Sequence, residues 1–432
     1  MFKQKLNSIL RKNALESDFF RNTFTLTIGT TVAQAFPMIF YPVLSRIYLP
    51  EEFGLLATLT SITSILVVLA TGKYENSILI TNTKKDAANI IMMVLALSMV
   101  FLLLTFIVFC FLTEEFSIWF NEPGLKVWLY ICPLTAFSII IFNCYNEWCV
   151  RNKYFATLSG NKIMNSASTS LSKLLFGFVK ISSNGLVIGD LVGRIITAVH
   201  CIFRSLHRDG KFFFAISRKR MLVLARRYKE FPRYSLPDQL IDTLNSQLPT
   251  LMIAYTFLST KVGYYAMAGN VLSVPVNVIS VAVRDVFRQR ANEEWAKVGN
   301  CRNIYVKVVR MLFIIIVPSS ILLMIILPDF FSILLGKNWR TAGEYARILM
   351  PHVAILFMFR VVSAVFIIAN KLRASFIWQF YSISLTIISL SIGCFVLRDM
   401  KKTLICYVIA RCIANLTRFY MTYNYSKGKL IT

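Results

Sequence analysis

NIIMMVLALSMVFLLLTFIVFCFL, residues 89–112, carries no charged side chain. As a helix it is long enough to cross a hydrocarbon core of about 30 Å. Reading outward, comparable apolar stretches fall at 23–44, 55–71, 126–146, 164–180, 185–204, 236–258, 262–284, 307–327, 346–369, 375–397 and 402–424. About twelve spans therefore follow one another, and the segments between them are too short for a catalytic domain in water. In lipid every backbone polar group has to be satisfied within its own element, so these spans are helices. The expected fold class is an all-α membrane protein of about 12 transmembrane helices.

The charge has to be read by position. A formal net charge of +26 raises the question of nucleic acid. Counted along the spans, however, roughly three times as many Lys and Arg lie on the side of the N-terminus as on the other. That asymmetry orients both termini toward the cytoplasm and leaves no call for a nucleic-acid partner. The same residues are available to anionic membrane lipids. Lys3, Lys5, Arg11, Lys12 and Arg21 precede the first span, and no small-residue cleavage site follows it. It reads as a retained span. The nine cysteines are scattered without a CxxC pair, and His200, His207 and His352 are far apart. Free buried thiols are expected, with neither a metal site nor a cofactor.

The longest inside loop, 205–235, is basic through Arg218, Lys219, Arg220, Arg226, Arg227 and Lys229. It divides the spans six and six: an N-terminal bundle over 1–204, a basic cytoplasmic linker over 205–235 and a C-terminal bundle over 236–432. A weak internal echo supports duplication. Gln34-Ala-Phe-Pro37 with Gly54 answers Gln247-Leu-Pro249 with Gly263, and Pro133 answers Pro351. Six spans per half put both halves on the same side at their start, so the repeats are parallel, related by an axis along the membrane normal. Pro37, Pro42, Pro249 and Pro275 fall within spans and free carbonyls there. Such bends suit either two rocking bundles or simple packing irregularity.

Ionisable groups inside spans are costly, which makes them functional candidates. Lys173 lies mid-span in the fifth span, and Asp190 and Arg194 share a face of the sixth at i,i+4. With the intervening turn near 182, all three reach similar depth, and one buried cluster of net positive charge is expected. It serves as a structural ion pair or as an anion site. In the second half, Asp238 and Asp242 share a face, Arg284 and Asp285 lie near the same depth, and Arg360 and Arg411 are deep. Arg418 is close enough to the inner surface to snorkel. Arg46, and the run Lys73-Tyr74-Glu75, sit at span ends and read as anchors or as cavity mouths. Basic residues outnumber acids within the spans, a balance that favours an anionic, phosphate-bearing cargo. Asp190, Asp238 and Asp242 are the acids placed to couple a proton or sodium ion, since burial raises a carboxyl pKa.

Several classes are excluded by missing motifs. Gly336-Lys337-Asn338 lacks the upstream glycine and the Ser/Thr of a Walker A loop, and neither HExxH nor GxSxG occurs. The largest outside loop, about 328–345, is small for a glycan polymerase or transferase. No catalytic residue is expected, and the chain reads as a non-enzyme.

A family likeness rests on motifs spread over residues 20–370. The stretch QAFPMIFYPVLSRIYLPEEFG, Gln34 to Gly54, resembles the opening signature of Wzx-type oligosaccharide flippases, with Pro42, Arg46, Tyr48, Pro50, Glu51, Phe53 and Gly54 matching. These flippases belong to the multidrug/oligosaccharidyl-lipid/polysaccharide exporter superfamily. Lys73-Tyr74-Glu75 with Ile78, Gly263-Tyr264-Tyr265-Ala266 with Pro275, Phe287 to Ala291, and Gly336-Lys337-Asn338-Trp339 with Ala342, Gly343 and Pro351 resemble further family motifs. The resemblance implies two six-helix bundles in a MATE-like V around a cationic cavity. It also implies an undecaprenyl-diphosphate-linked oligosaccharide as cargo, flipped from the cytoplasmic to the periplasmic leaflet of the bacterial inner membrane, and other polysaccharide assembly proteins as partners. The site expected on this reading comprises Lys173, Arg194, Arg360 and Arg411 as lumen cations, with Arg46, Lys73, Glu75 and Arg284 at the mouths. A drug exporter of the same superfamily, whose cargo would prefer an acidic aromatic cavity, and a membrane glycan polymerase are the alternatives.

Overall fold

The computed structural model describes residues 2–120, 122–179, 184–214 and 216–428. The turn expected near 182 lies outside the described residues, as do the side chains of Lys3, Lys5, Arg11, Lys12 and Arg21. Among the described residues the chain is helical throughout and has no strand. The first half contains α1 (Phe2–Ile47), α2 (Pro50–Thr71), α3 (Lys84–Trp119), the short α4 (Leu125–Trp128), α5 (Ile131–Arg151), α6 (Phe155–Val179) and α7 (Gly185–Phe213). After α8 (Arg218–Arg227) come α9 (Leu236–Thr256), α10 (Ser259–Val298), α11 (Arg302–Leu335), α12 (Arg340–Val362), the short α13 (Val365–Ile368), α14 (Leu372–Ser391) and α15 (Met400–Ser426). The stretch expected as a basic linker is helical over much of its length, since α7 runs on to Phe213 and α8 follows.

Local signals explain the helix starts and stops. Proline at the first position and Glu51 and Glu52 in the first turn open α2, where the Glu52 carboxylate accepts from the Leu49 amide at 2.9 Å. Asp399 caps α15 by accepting from Lys402 N at 2.9 Å. Gly299, at φ 74°, ends α10 in the left-handed conformation.

Among the described residues the expected spans fall on helices, with 126–146 divided between α4 and α5 and 346–369 between α12 and α13. Among the described residues, nine segments are long and apolar enough to cross a membrane. They fall on α1, α2, α3, α7, α10, α11, α12, α14 and α15. The other expected spans, on α5, α6 and α9, carry more polar sequence. On α6 the side chains of Ser159, Asn161, Ser168, Thr169 and Ser172 are buried inside the protein. A membrane helix of this kind buries its polar face against its neighbours. By contrast α3 exposes Leu97, Val100, Leu103, Leu104 and Ile107, the pattern of a lipid-facing side.

Two compact units divide the chain. One comprises the residues up to Phe40, Leu69–Thr105 and Pro133–Leu236; the other comprises Tyr41–Val68, Phe106–Cys132 and the chain from Pro237 on. In the first unit, Trp148 is fully buried and donates its indole N–H to Asp209 at 3.0 Å. Arg220 of α8 grips Asp86 of α3 with two hydrogen bonds, at 2.7 and 3.0 Å, which pins α8 against the start of α3.

The second unit contains a knot built from the signature residues. The start of α2 crosses the start of α10 so closely that a Cβ on Gly54 would collide with the Ser259 carbonyl, and one on Gly263 with the Pro50 carbonyl. The first residue of each helix thus faces the fifth of the other, a two-fold arrangement of the two glycines that the sequence echo singled out. Ser259 Oγ donates to Glu51 O and Thr260 Oγ1 to Glu51 Oε1, both at 3.0 Å. Trp339, 1% exposed, donates its indole N–H to Ser45 O at 3.0 Å, while Ser45 Oγ donates to Leu335 O at 2.9 Å. Phe53 and Tyr264 both meet Trp339 edge-to-face. The left-handed Gly336, φ 108°, makes the turn that delivers this tryptophan.

Candidate functional site

Charge inside the helices gathers in two places, one in each unit. In the first unit, Asp190 of α7 takes Lys173 of α6 on one oxygen at 2.8 Å and Arg194 on the other at 2.5 Å. Gly189 and Gly193 let α7 approach the α6 backbone at Lys173 and Thr169, where any Cβ would clash. The expected cluster is therefore present, with two cations sharing one buried carboxylate.

Removing that carboxylate takes from both cations the charge they share. An Asp190→Ala variant is expected to lose about 3–5 kcal/mol of stability. The melting temperature of the detergent-purified protein checks this. A second change, Lys173→Met, should recover part of the loss, whereas an unchanged melting temperature in the single variant would show that the cations find other partners.

The second unit holds a cavity of about 550 Å³ among α9, α10, α12, α14 and α15. Arg360, Arg411 and Arg418 line it together with Asp242 and His352. Among the described residues, none of these three arginines has a carboxylate within ion-pair distance. Their partners are neutral. Arg411 donates to Asn245 Oδ1 at 3.0 Å and to Ser382 Oγ at 2.9 Å, and Arg360 donates to Asn277 Oδ1. Arg418 is stacked against Phe359 at 4.1 Å and Trp378 at 4.0 Å, with Phe366 at 5.8 Å. The Nε atoms of Arg411 and Arg418 are buried with no partner. Such a lining can take an anion, because three fixed donors supply charge without a competing carboxylate on any of them.

The other expected residues are dispersed. Asp242 lines the cavity, whereas Asp238 lies exposed in the first turn of α9. Arg46 is exposed at the end of α1. Lys73, at φ 60°, pairs with Glu75 at 3.2 Å, and Arg284 lies 3.7 Å from Asp285. Sequence reasoning missed Arg418, expected to snorkel. The available signal was the spacing Arg411, Asn415, Arg418, which at i, i+4 and i+7 puts all three on one face of α15.

Comparison with known proteins agrees with this architecture. A membrane protein encoded in the cps region of Klebsiella pneumoniae, itself uncharacterized, is 24% identical over 301 residues, 69% of this chain. The match spans 60% of that relative's length. Among solved structures, the lipid II flippase MurJ in an inward closed conformation has a TM-score of 0.74 at 12% identity, covering 93% of this chain and 89% of that one. An inward-facing multidrug resistance MATE family transporter of the MOP superfamily has a TM-score of 0.69 at 14% identity, covering 91% and 97%. These likenesses show the fold. Residues 43–344, which hold both the signature knot and Lys173, Asp190 and Arg194, match the family described as polysaccharide biosynthesis protein, and the chain belongs to that family as a multi-pass membrane protein.

Proposed function

We propose that the protein is a flippase of the bacterial inner membrane. It carries undecaprenyl-diphosphate-linked oligosaccharide repeat units from the cytoplasmic to the periplasmic leaflet by alternating access, for O-antigen, capsule or exopolysaccharide synthesis. The observation that carries this reading is the cavity lined by Arg360, Arg411 and Arg418. A diphosphate cannot enter hydrocarbon unaided, and fixed guanidiniums offset the loss of its hydration. The polysaccharide biosynthesis family, a relative from a capsule region and a fold like that of a lipid II flippase support it. On this reading the chain performs no chemistry and both termini lie in the cytoplasm. Asp242, in the cavity wall, is the acid placed to exchange a proton or sodium ion; Asp190 is held by two cations.

The test is the pool of lipid-linked repeat units in a deletion strain, resolved by leaflet. Build-up on the cytoplasmic face with loss of surface polysaccharide is the expected result. Units that reach the periplasmic face and stay unpolymerised would replace the reading with a polymerase. No change in either pool would replace it with a small-molecule exporter.

A further inference from the structure

α8 uses one of its two faces inside the protein. Arg220, Leu224 and Tyr228 follow at i, i+4 and i+8 and form a stripe along it. Arg220 takes both oxygens of Asp86, while Leu224 and Tyr228 are buried. On the same helix the Ala225 carbonyl accepts from Tyr74 Oη at 3.3 Å. The opposite face carries Lys219, Leu222 and Arg226, flanked by Arg218 and Val223, and all five side chains are exposed. Leu222 is 66% exposed and Val223 54%. Among the described residues, none of the three cations on this face has a carboxylate within ion-pair distance. No acidic residue occurs between Asp209 and Glu230.

The anchors of the inner face set the depth of α8. Ser217 N, at the helix start, donates to Asn89 Oδ1 at 3.0 Å, and Asn89 opens the uncharged run 89–112 of α3. Asp86, which holds Arg220, lies one turn before it. Tyr74 lies three residues after α2 ends at Thr71. α8 is therefore fastened where two apolar spans end, and that level is the headgroup region of a bilayer. An amphipathic helix at this level inserts its apolar residues at the acyl boundary and sets its cations among the headgroups. A cation without a carboxylate of its own is there attracted to anionic lipid. The depth favours lipid over an acidic protein or a nucleic acid, which would meet the helix from water.

We propose that the outer face of α8 is a docking surface for acidic phospholipids. Leu222 and Val223 enter the acyl boundary, and Lys219 and Arg226 meet the headgroup phosphates. The two faces divide the charge of one short helix: Arg220 fastens it to the protein, and its neighbours fasten it to the membrane. Lipid charge then helps to hold α8 on the start of α3. The surface lies in the first unit, away from the arginine-lined cavity, and does not depend on the cargo.

The experiment is photocrosslinking of the full chain carrying Leu222→p-benzoylphenylalanine. The protein is reconstituted into vesicles of phosphatidylcholine and phosphatidylglycerol in equal amounts, irradiated, and its α8 peptide weighed by mass spectrometry. Both leaflets have the same composition, so either orientation of the protein gives the same answer. Lipid adducts are expected, with phosphatidylglycerol captured about fivefold over phosphatidylcholine, the order set by one cation beside an anionic surface. Adding Lys219→Gln and Arg226→Gln should bring the two lipids toward equal capture. Neither side chain has a carboxylate partner, so the melting temperature should stay that of the parent. The same label at Val223 covers the case in which Leu222 does not tolerate it. Equal capture of both lipids by the parent would overturn the assignment to acidic lipid. A crosslink within the protein, or no crosslink, at both positions would overturn docking on the bilayer. The vesicles contain no glycolipid, so either result is separate from that of the leaflet assay for the flippase.

Discussion

Arg411→Gln is expected to abolish export of surface polysaccharide while leaving the protein in the membrane at its normal level. The guanidinium donates to Asn245 and Ser382, both neutral, and belongs to a residue of the cavity wall. Its removal strands no carboxylate. Asn245 Oδ1 also keeps its bond from Thr386 at 3.1 Å. The fold therefore loses little, and the loss falls on whatever anion enters. Truncating one partner of a desolvated charge pair costs about 2–5 kcal/mol, or roughly 30- to 4,000-fold in affinity. Arg46→Gln makes the contrast. Arg46 is exposed, and its change is expected to cost less than about 1 kcal/mol. Complementation of a deletion strain, scored by surface polysaccharide and by protein level in the membrane, reads both. Full complementation by Arg411→Gln would end the cationic-cavity mechanism.

Gly263→Val should act through the other route and deprive the second unit of its knot. The added side chain meets the Pro50 backbone carbonyl, which cannot rotate away as a flexible side chain can. Overpacking commonly costs about 1–3 kcal/mol, and a backbone obstruction belongs at the top of that range or above it. Gly54→Val collides with the Ser259 carbonyl in the same way. Both substitutions separate the same pair of helix starts, so the double variant should be less damaged than the two losses added together. Monodisperse yield and melting temperature in detergent are the measurements. Gly160→Ala is the matched control. Nothing lies within 4 Å of its Cβ position, and a mid-helix Gly-to-Ala change there should stabilise by about 0.5–1 kcal/mol. A Gly263→Val protein that melts like the parent would mean that the crossing contributes nothing.

The helices were legible because hydrophobic length is a one-dimensional property, and residues 89–112 announce themselves without knowledge of any neighbour. The polar helices were harder. α6 and α9 owe their place to what covers their Ser, Thr and Asn residues, which no window of hydropathy contains. The Lys173, Asp190 and Arg194 cluster was readable because two of its members share a helix face and the third sits at matching depth on the preceding helix. Arg418 was not. Proximity to the membrane surface suggested snorkelling, and only packing reveals that Phe359, Phe366 and Trp378, distant in sequence, enclose it. The signature residues pose the same problem in reverse. They were recognisable as a pattern, yet their purpose, a knot of glycine crossings and one buried tryptophan, depends on partners 208 to 294 positions away.

The pairing of α6 with α7 bears on how the chain is made. α6 is not apolar enough to rank among the membrane-spanning segments, and it carries Lys173. A Lys at the centre of a helix costs about 2.5–3.5 kcal/mol on insertion scales, an upper bound for Lys173, which lies six residues before the end of α6. Its counter-charge is on the next helix to emerge from the ribosome, beside the glycines that let the two backbones touch. α6 is thus best stabilised in lipid once Asp190 has arrived, and the two helices are expected to enter the bilayer as a pair. A stall placed between them during translation should leave α6 extractable from the membrane, and release of the stall should bury it.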